Sequence, residues 1–150
     1  MPRRVALELQ GDLDALHLVW LVLEELLGQV GPAEDQPEQK YATLVAVQEA
    51  LTNILRHAYG GDSSFPLRIE VEAGEDRLSI TAIDYGPPFT PEFHGHSTWD
   101  GPPREGGYGL PFIHTVMSNV FYRREGDANV LCMVKEFPAR VPVEAAGGTP

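Results

Sequence analysis

Glu49, Asn53 and His57 recur every fourth residue in the stretch Glu49-Ala-Leu-Thr-Asn53-Ile-Leu-Arg-His57. On a helix that spacing stacks three polar side chains on one face. A carboxylate and a carboxamide one turn apart suit two tasks: the carboxylate polarises a hydroxyl by accepting its proton, and the amide oxygen is a hard donor for Mg²⁺. The same spacing also describes an amphipathic helix with its polar side in water, since Leu44, Val47, Leu51, Ile54 and Leu55 take the other side. A second group is Asp84-Tyr-Gly86-Pro-Pro, at the end of the apolar run Ser79-Ile-Thr-Ala-Ile. Asp84 there is either a turn former or a buried acceptor for an exocyclic amine, with Gly86 permitting close ligand approach. The third is Gly106-Gly-Tyr-Gly109-Leu110. Backbone N–H groups at a glycine-rich helix start bind anions, aided by the helix dipole; the plain alternative is a loop that simply ends in glycines.

The elements that must carry these groups are legible from periodicity. Val5, Leu7 and Leu9 alternate with polar neighbours, which predicts a short half-buried strand before Gly11. Asp12 is placed to cap a helix whose apolar positions are Leu16, Val19, Trp20, Leu23, Leu26 and Leu27, with Gly31-Pro32 as its stop. A second helix spans about 38–58. Two strands follow, with Leu67, Ile69 and Val71 in one and Leu78, Ile80 and Ala82 in the other, reversing at Gly74-Glu-Asp76. Residues 86–107 read as a loop rich in Pro and Gly, a length usually reserved for function. A helix from Leu110 to Asn119 tolerates Pro111 because it lies in the first turn. Strands over 120–124 and 130–137 form a closing hairpin around Glu125-Gly-Asp127. The expected fold is therefore α+β: a two-layer sandwich in which about three helices cover one face of a mostly antiparallel mixed sheet.

Composition sets the outer limits. One domain over 1–137, with a frayed Pro/Gly/Ala-rich tail at 138–150, fits the 150 residues, 43% of them hydrophobic. A formal charge of −11 argues against a nucleic-acid partner, whose phosphates would be repelled. Cys132 is the only cysteine, so no intramolecular disulfide can form, and its apolar run predicts a buried, inert thiol. The apolar region 13–30 is broken by Asp14, His17, Glu24 and Glu25, which excludes a membrane span there. The start, Met1-Pro-Arg-Arg-Val5, does not read as a secretory leader. A cytoplasmic location is the resulting expectation.

Other nucleotide signatures fail: Lys40 and Lys135 are the only lysines, and neither lies in a Gly-x-x-x-x-Gly-Lys loop. Taken in order, however, the three groups resemble the Bergerat-fold ATPase superfamily, and within it the bacterial anti-sigma factor serine/threonine kinases. Glu49 to Tyr59 looks like that family's asparagine box, Asp84 to Phe89 like its first glycine box, and Gly106 to Leu110 like its second. The resemblance covers about 5–137.

That resemblance implies ATP and Mg²⁺ as cofactors. Asn53 would ligate the metal, and Asp84 would bind the adenine amine with Gly86 beneath the base. Gly107, Tyr108, Gly109 and Leu110 would cradle phosphate, and 87–106 would form a lid. Glu49 would be the general base. His57 and Arg104 would lie toward the phosphates, with packing or solvated roles as the alternatives. The implied substrate is an anti-sigma factor antagonist protein, with a sigma factor as a second partner (partner switching) and a homodimer through the first helix and sheet edge. A nucleotide-binding interaction module with little or no transfer is the alternative function. The chain departs from the family in two places. Pro88 replaces a frequent glycine, and Asn129-Val130 stands where relatives often carry a threonine that assists adenine binding through water. His94-Gly-His96 has metal-ligand spacing but lacks a convincing third ligand.

Overall fold

Strict alternation decides two strands outright. Leu67, Ile69, Val71 and Ala73 in β2 (Pro66–Ala73) are buried, as are Leu78, Ile80, Ala82 and Asp84 in β3 (Arg77–Asp84), while their neighbours face outward. The structure, a computed structural model, describes residues 2–30, 36–57, 66–88 and 109–137. The expected lid beyond Pro88, including His94, His96 and Arg104, lies outside the described residues, as do Gly107, Tyr108 and the tail from 138.

β2 and β3 lie inside a five-stranded sheet completed by β1 (Arg3–Gln10), β4 (Asn119–Glu125) and β5 (Ala128–Glu136), in the order β1-β2-β3-β5-β4. Every pairing among the described strands is antiparallel. Helices α1 (Ala15–Leu27), α2 (Pro37–His57) and α3 (Gly109–Val116) complete the α+β architecture expected from the sequence. α2 packs against both α1 and α3, and α1 and α2 also meet the sheet.

The core joins Leu16, Val19, Leu23 and Leu27 of α1 to Val47, Leu51 and Leu55 of α2 and to Ile69, Ile80 and Met133 of the sheet. Each such side chain contributes about 1.5–3 kcal/mol on burial. On β1 and β2 the outer face is polar by contrast. Arg68 donates to Glu8 at 2.6 Å and to Glu70 at 2.9 Å, and those two carboxylates raise its pKa; water screens such pairs, so they add little to stability.

Three local expectations are corrected. α1 ends at Leu27 rather than at Gly31-Pro32; Gly28 takes over, and bonds from Gln29 N to Leu26 O and Val30 N to Leu27 O tighten the exit. α3 ends at Val116, because Ser118 N already donates to Val134 O and starts the turn into β4. Cys132 is half-buried, not buried: it lies on the outer face, its Sγ 3.8 Å from Ser79 Oγ. Among the described residues no helix is long and apolar enough to cross a membrane, which leaves β-barrels unaddressed.

Lys40, near the start of α2, has its Nζ buried without an acceptor among the described residues, and desolvation lowers its pKa. Unfolding restores the ordinary value, so the unfolded chain binds more protons between the lowered value and the ordinary one. Stability therefore rises with pH across that window, and the full penalty applies below it. Lys40→Met is expected to stabilise the fold at neutral pH by about 1 kcal/mol or more. Urea denaturation at neutral and alkaline pH should show the advantage shrinking as pH rises.

Candidate functional site

One end of the sheet gathers the polar residues, and the strand register says which end it is. Gln10 at the end of β1 pairs with Pro66, Leu67 pairs with Asp84, and Asp84 pairs with Asn129, which pairs with Arg124. The C-terminal half of α2 lies at this same end. Leu55 and Arg56 line a cleft of about 220 Å³ together with Gly11, Asp12, Leu13 and Asp14, the residues that follow β1. Asp12 Oδ1 accepts from Ala15 N at 2.8 Å, so the expected capping aspartate holds the entry to α1.

Connectivity brings the start of α3 to the same end. α3 and β4 are separated only by Met117 and Ser118, so the chain reverses between them. Lys135 Nζ donates to Val116 O at 2.9 Å, fixing the C-terminus of α3 at the opposite end of β5 from Asn129. The N-terminus of α3, Gly109, therefore points back toward the end that carries Asp84. Asn53, Asp84 and the start of α3 thus share one end of the molecule.

The individual groups are built as follows. Asn53 is buried, 7% exposed, yet its carboxamide has no hydrogen-bond partner among the described residues. Solvent still reaches that group, so a ligand can as well. Its oxygen is the hard donor that suits Mg²⁺, so the residue fits the implied metal. Glu49, half-buried and one turn earlier on the same helix, has a carboxylate that likewise meets no partner among the described residues. His57 is the last residue of α2. Among the described residues no three His, Cys, Asp or Glu side chains group around a metal position.

Asp84, 4% exposed, belongs to a dense network. Its Oδ1 accepts from Gly86 N at 2.9 Å and from Asn129 Nδ2 at 2.8 Å. Among the described residues none donates to Oδ2, which leaves one carboxylate oxygen for a ligand. Asn129 Nδ2 also donates to Gly86 O at 3.1 Å and Pro87 O at 3.0 Å, while its Oδ1 accepts from Tyr122 Oη at 2.5 Å and Arg124 Nη1 at 2.9 Å. The turn Asp84-Tyr-Gly86-Pro87 is thereby tied to the β4–β5 hairpin.

Sequence reading singled out Asn129 but missed Tyr122 and Arg124. The signal was present: Val120, Tyr122 and Arg124 alternate, so the two polar-tipped residues lie on the face of β4 that Val120 turns to the core. Gly86 is buried.

The chain matches the histidine kinase-like ATPase domain family over residues 9–135. It is 30% identical to a serine-protein kinase RsbW of Bacillus licheniformis over 136 residues, 85% of this chain and 81% of that one. A serine-protein kinase RsbW of Staphylococcus epidermidis is 26% identical over 136 residues, 84% of this chain and 82% of its own length. Among solved structures, the RsbU and RsbW domains of a Mycobacterium tuberculosis protein share the fold, with a TM-score of 0.59 at 17% identity. That likeness covers 92% of this chain and 34% of the other.

Proposed function

The chain belongs to the histidine kinase-like ATPase domain family, and from that membership we propose that it is an ATP-dependent protein kinase that phosphorylates serine or threonine on an anti-sigma factor antagonist. The observation that carries the reading is the shared sheet end. There the carboxamide of Asn53 and Asp84 Oδ2, neither with a hydrogen-bond partner among the described residues, lie with the glycine-led start of α3. In this reading Asp84 Oδ2 accepts from the adenine amine, with Gly86 under the base. Asn53 holds Mg²⁺, which neutralises phosphate charge when bound. Backbone N–H groups around Gly107, Tyr108, Gly109 and Leu110 receive phosphate, and His57 and Arg104 flank it.

Glu49 accepts the proton of the substrate hydroxyl as its oxygen bonds to the γ-phosphorus. The bond to the β-phosphate oxygen breaks, ADP leaves, and the phosphoryl group ends on the partner. The kinase reading extends to a sigma factor as the alternative partner, released or held according to the antagonist's phosphorylation, and to action in the cytoplasm. It also includes a homodimer using the α1 surface, where Leu18 and Leu21 are exposed.

The test is to incubate the chain with Mg-ATP and candidate antagonist proteins and to follow phosphate by intact mass. Added phosphate on a serine or threonine supports the reading; ATP binding with no transfer to any of them favours the interaction-module alternative. Asn53→Ala is expected to weaken Mg-ATP at least about 10-fold. Titrations with and without magnesium would check this, since an affinity unchanged in magnesium contradicts the assigned ligand.

A further inference from the structure

The nucleotide reading leaves Tyr122 and Arg124 without a task, although both are anchored in the network behind Asp84. We propose that Arg124 and Tyr122 are positioning residues that set base specificity without touching the nucleotide. They fix which way the Asn129 amide faces, and through it which oxygen of Asp84 is left to read the base. The inference rests on the nucleotide-site reading above and adds to it the residues that enforce the choice of base.

A carboxamide has nearly the same shape either way round, so its surroundings decide which end is donor and which acceptor. At one end of Asn129 lies the guanidinium of Arg124, a donor with no acceptor capacity, 2.9 Å away, with the Tyr122 hydroxyl beside it. At the other end lie three acceptors: Asp84 Oδ1, Gly86 O and Pro87 O. Turning the amide over would set its oxygen against a carboxylate and two carbonyls, and its NH₂ against a cation. Only the observed orientation turns the oxygen to the donors and the NH₂ to the acceptors, its two hydrogens shared among three of them.

That orientation has a consequence one residue further on. With Asn129 Nδ2 and Gly86 N both donating to Asp84 Oδ1, that oxygen is engaged inward and Oδ2 is the acceptor left over. A carboxylate so held recognises an amine and discriminates against a carbonyl at the same place on the base. Arg124 reinforces the arrangement from a second direction. Its Nη1 also donates to Gly86 O at 2.9 Å, and its Nε donates to Gly126 O at 3.0 Å in the hairpin turn. Gly126 has φ 58°, a left-handed turn that suits glycine and brings its carbonyl within reach. The β4–β5 hairpin thus acts as a template for the Asp84 turn.

The experiment is isothermal titration of the full chain with Mg-ATP and Mg-GTP, comparing the wild type with Arg124→Ala, Tyr122→Phe and Asp84→Asn and with the Asp84→Asn/Arg124→Ala double variant. Urea denaturation of each reports folding. The expected result is that Arg124→Ala lowers the ATP:GTP affinity ratio about 10-fold and Tyr122→Phe about 3-fold. Combined with Asp84→Asn, Arg124→Ala should pull a GTP-leaning protein back toward no preference, because the amide then installed at 84 is oriented by Gly86 N alone. A ratio unchanged in both single variants overturns the proposal, and so does an equal loss for both nucleotides, which is what a merely structural role would give. If Arg124→Ala does not fold, Tyr122→Phe, which removes a single oxygen, decides the matter alone. A wild type that binds neither nucleotide is a different failure: it removes the nucleotide-site reading and this inference with it.

Discussion

Glu49→Ala is expected to slow phosphoryl transfer sharply while leaving Mg-ATP affinity within about two-fold, since in the proposed reading the lost carboxylate acts on the incoming hydroxyl and not on the nucleotide. A positioned general base contributes about 10²–10⁴-fold in rate, so the loss should fall in that range. Two structural facts support so clean a separation. Glu49 is half-buried without a partner among the described residues, so removing it breaks no recorded bond there. It also sits a full turn from Asn53, whose carboxamide remains to meet the metal. Single-turnover transfer to the antagonist, measured beside ATP titration, is the check. A variant that still phosphorylates at the wild-type rate would remove Glu49 from its role. One that loses ATP binding in parallel would place it in the nucleotide site instead.

The second large effect is expected at Asp84, where Asp84→Asn should do more than weaken ATP. Gly86 N and Asn129 Nδ2 both donate toward the position of Oδ1, so the new amide will turn its oxygen inward and its NH₂ outward. The group facing the base then changes from acceptor to donor. It loses the adenine amine and gains the guanine carbonyl. A hydrogen bond to a charged group is worth about 1.5–3 kcal/mol, so ATP should weaken by about 10- to 100-fold while GTP improves. Competition between the two nucleotides measures this directly. A parallel fall for both, with the protein folded, would mean that Asp84 supports the turn and does not read the base. Asp84→Ala separates the cases further, because it should weaken ATP without any gain for GTP.

Both expectations depend on side chains whose partners are distant in sequence, and here the amino-acid sequence and the tertiary structure divide the work. Periodicity was sufficient for the elements. The alternation of Leu67, Ile69 and Val71, and the helical recurrence of Leu16, Val19 and Leu23, can bury an apolar face in only one way. The placement of two polar groups was equally readable, because Glu49 and Asn53 share a helix and Asp84 with Gly86 shares a turn. Element ends were less so. Gly31-Pro32 is a strong stop signal, yet α1 ends at Leu27, since side-chain pattern carries little information on where backbone bonding gives way. Cys132 was misjudged for a related reason: an apolar run shows that a strand is flanked by apolar residues, not which face each one takes.

What the chain's order could not supply was the register. Whether Asp84 lies beside Asn129 and Arg124, or two residues away from them, depends on how β3, β4 and β5 slide past one another. That is settled by packing of the buried faces and by the Gly126 turn. The residue types gathered at this sheet end were thus written in the sequence. The sharing of Asp84's two oxygens, one held inward and one left open, arose only when strands 45 residues apart were set side by side. Hydrogen bonding is short-ranged and directional, so it is decided by coordinates and not by composition.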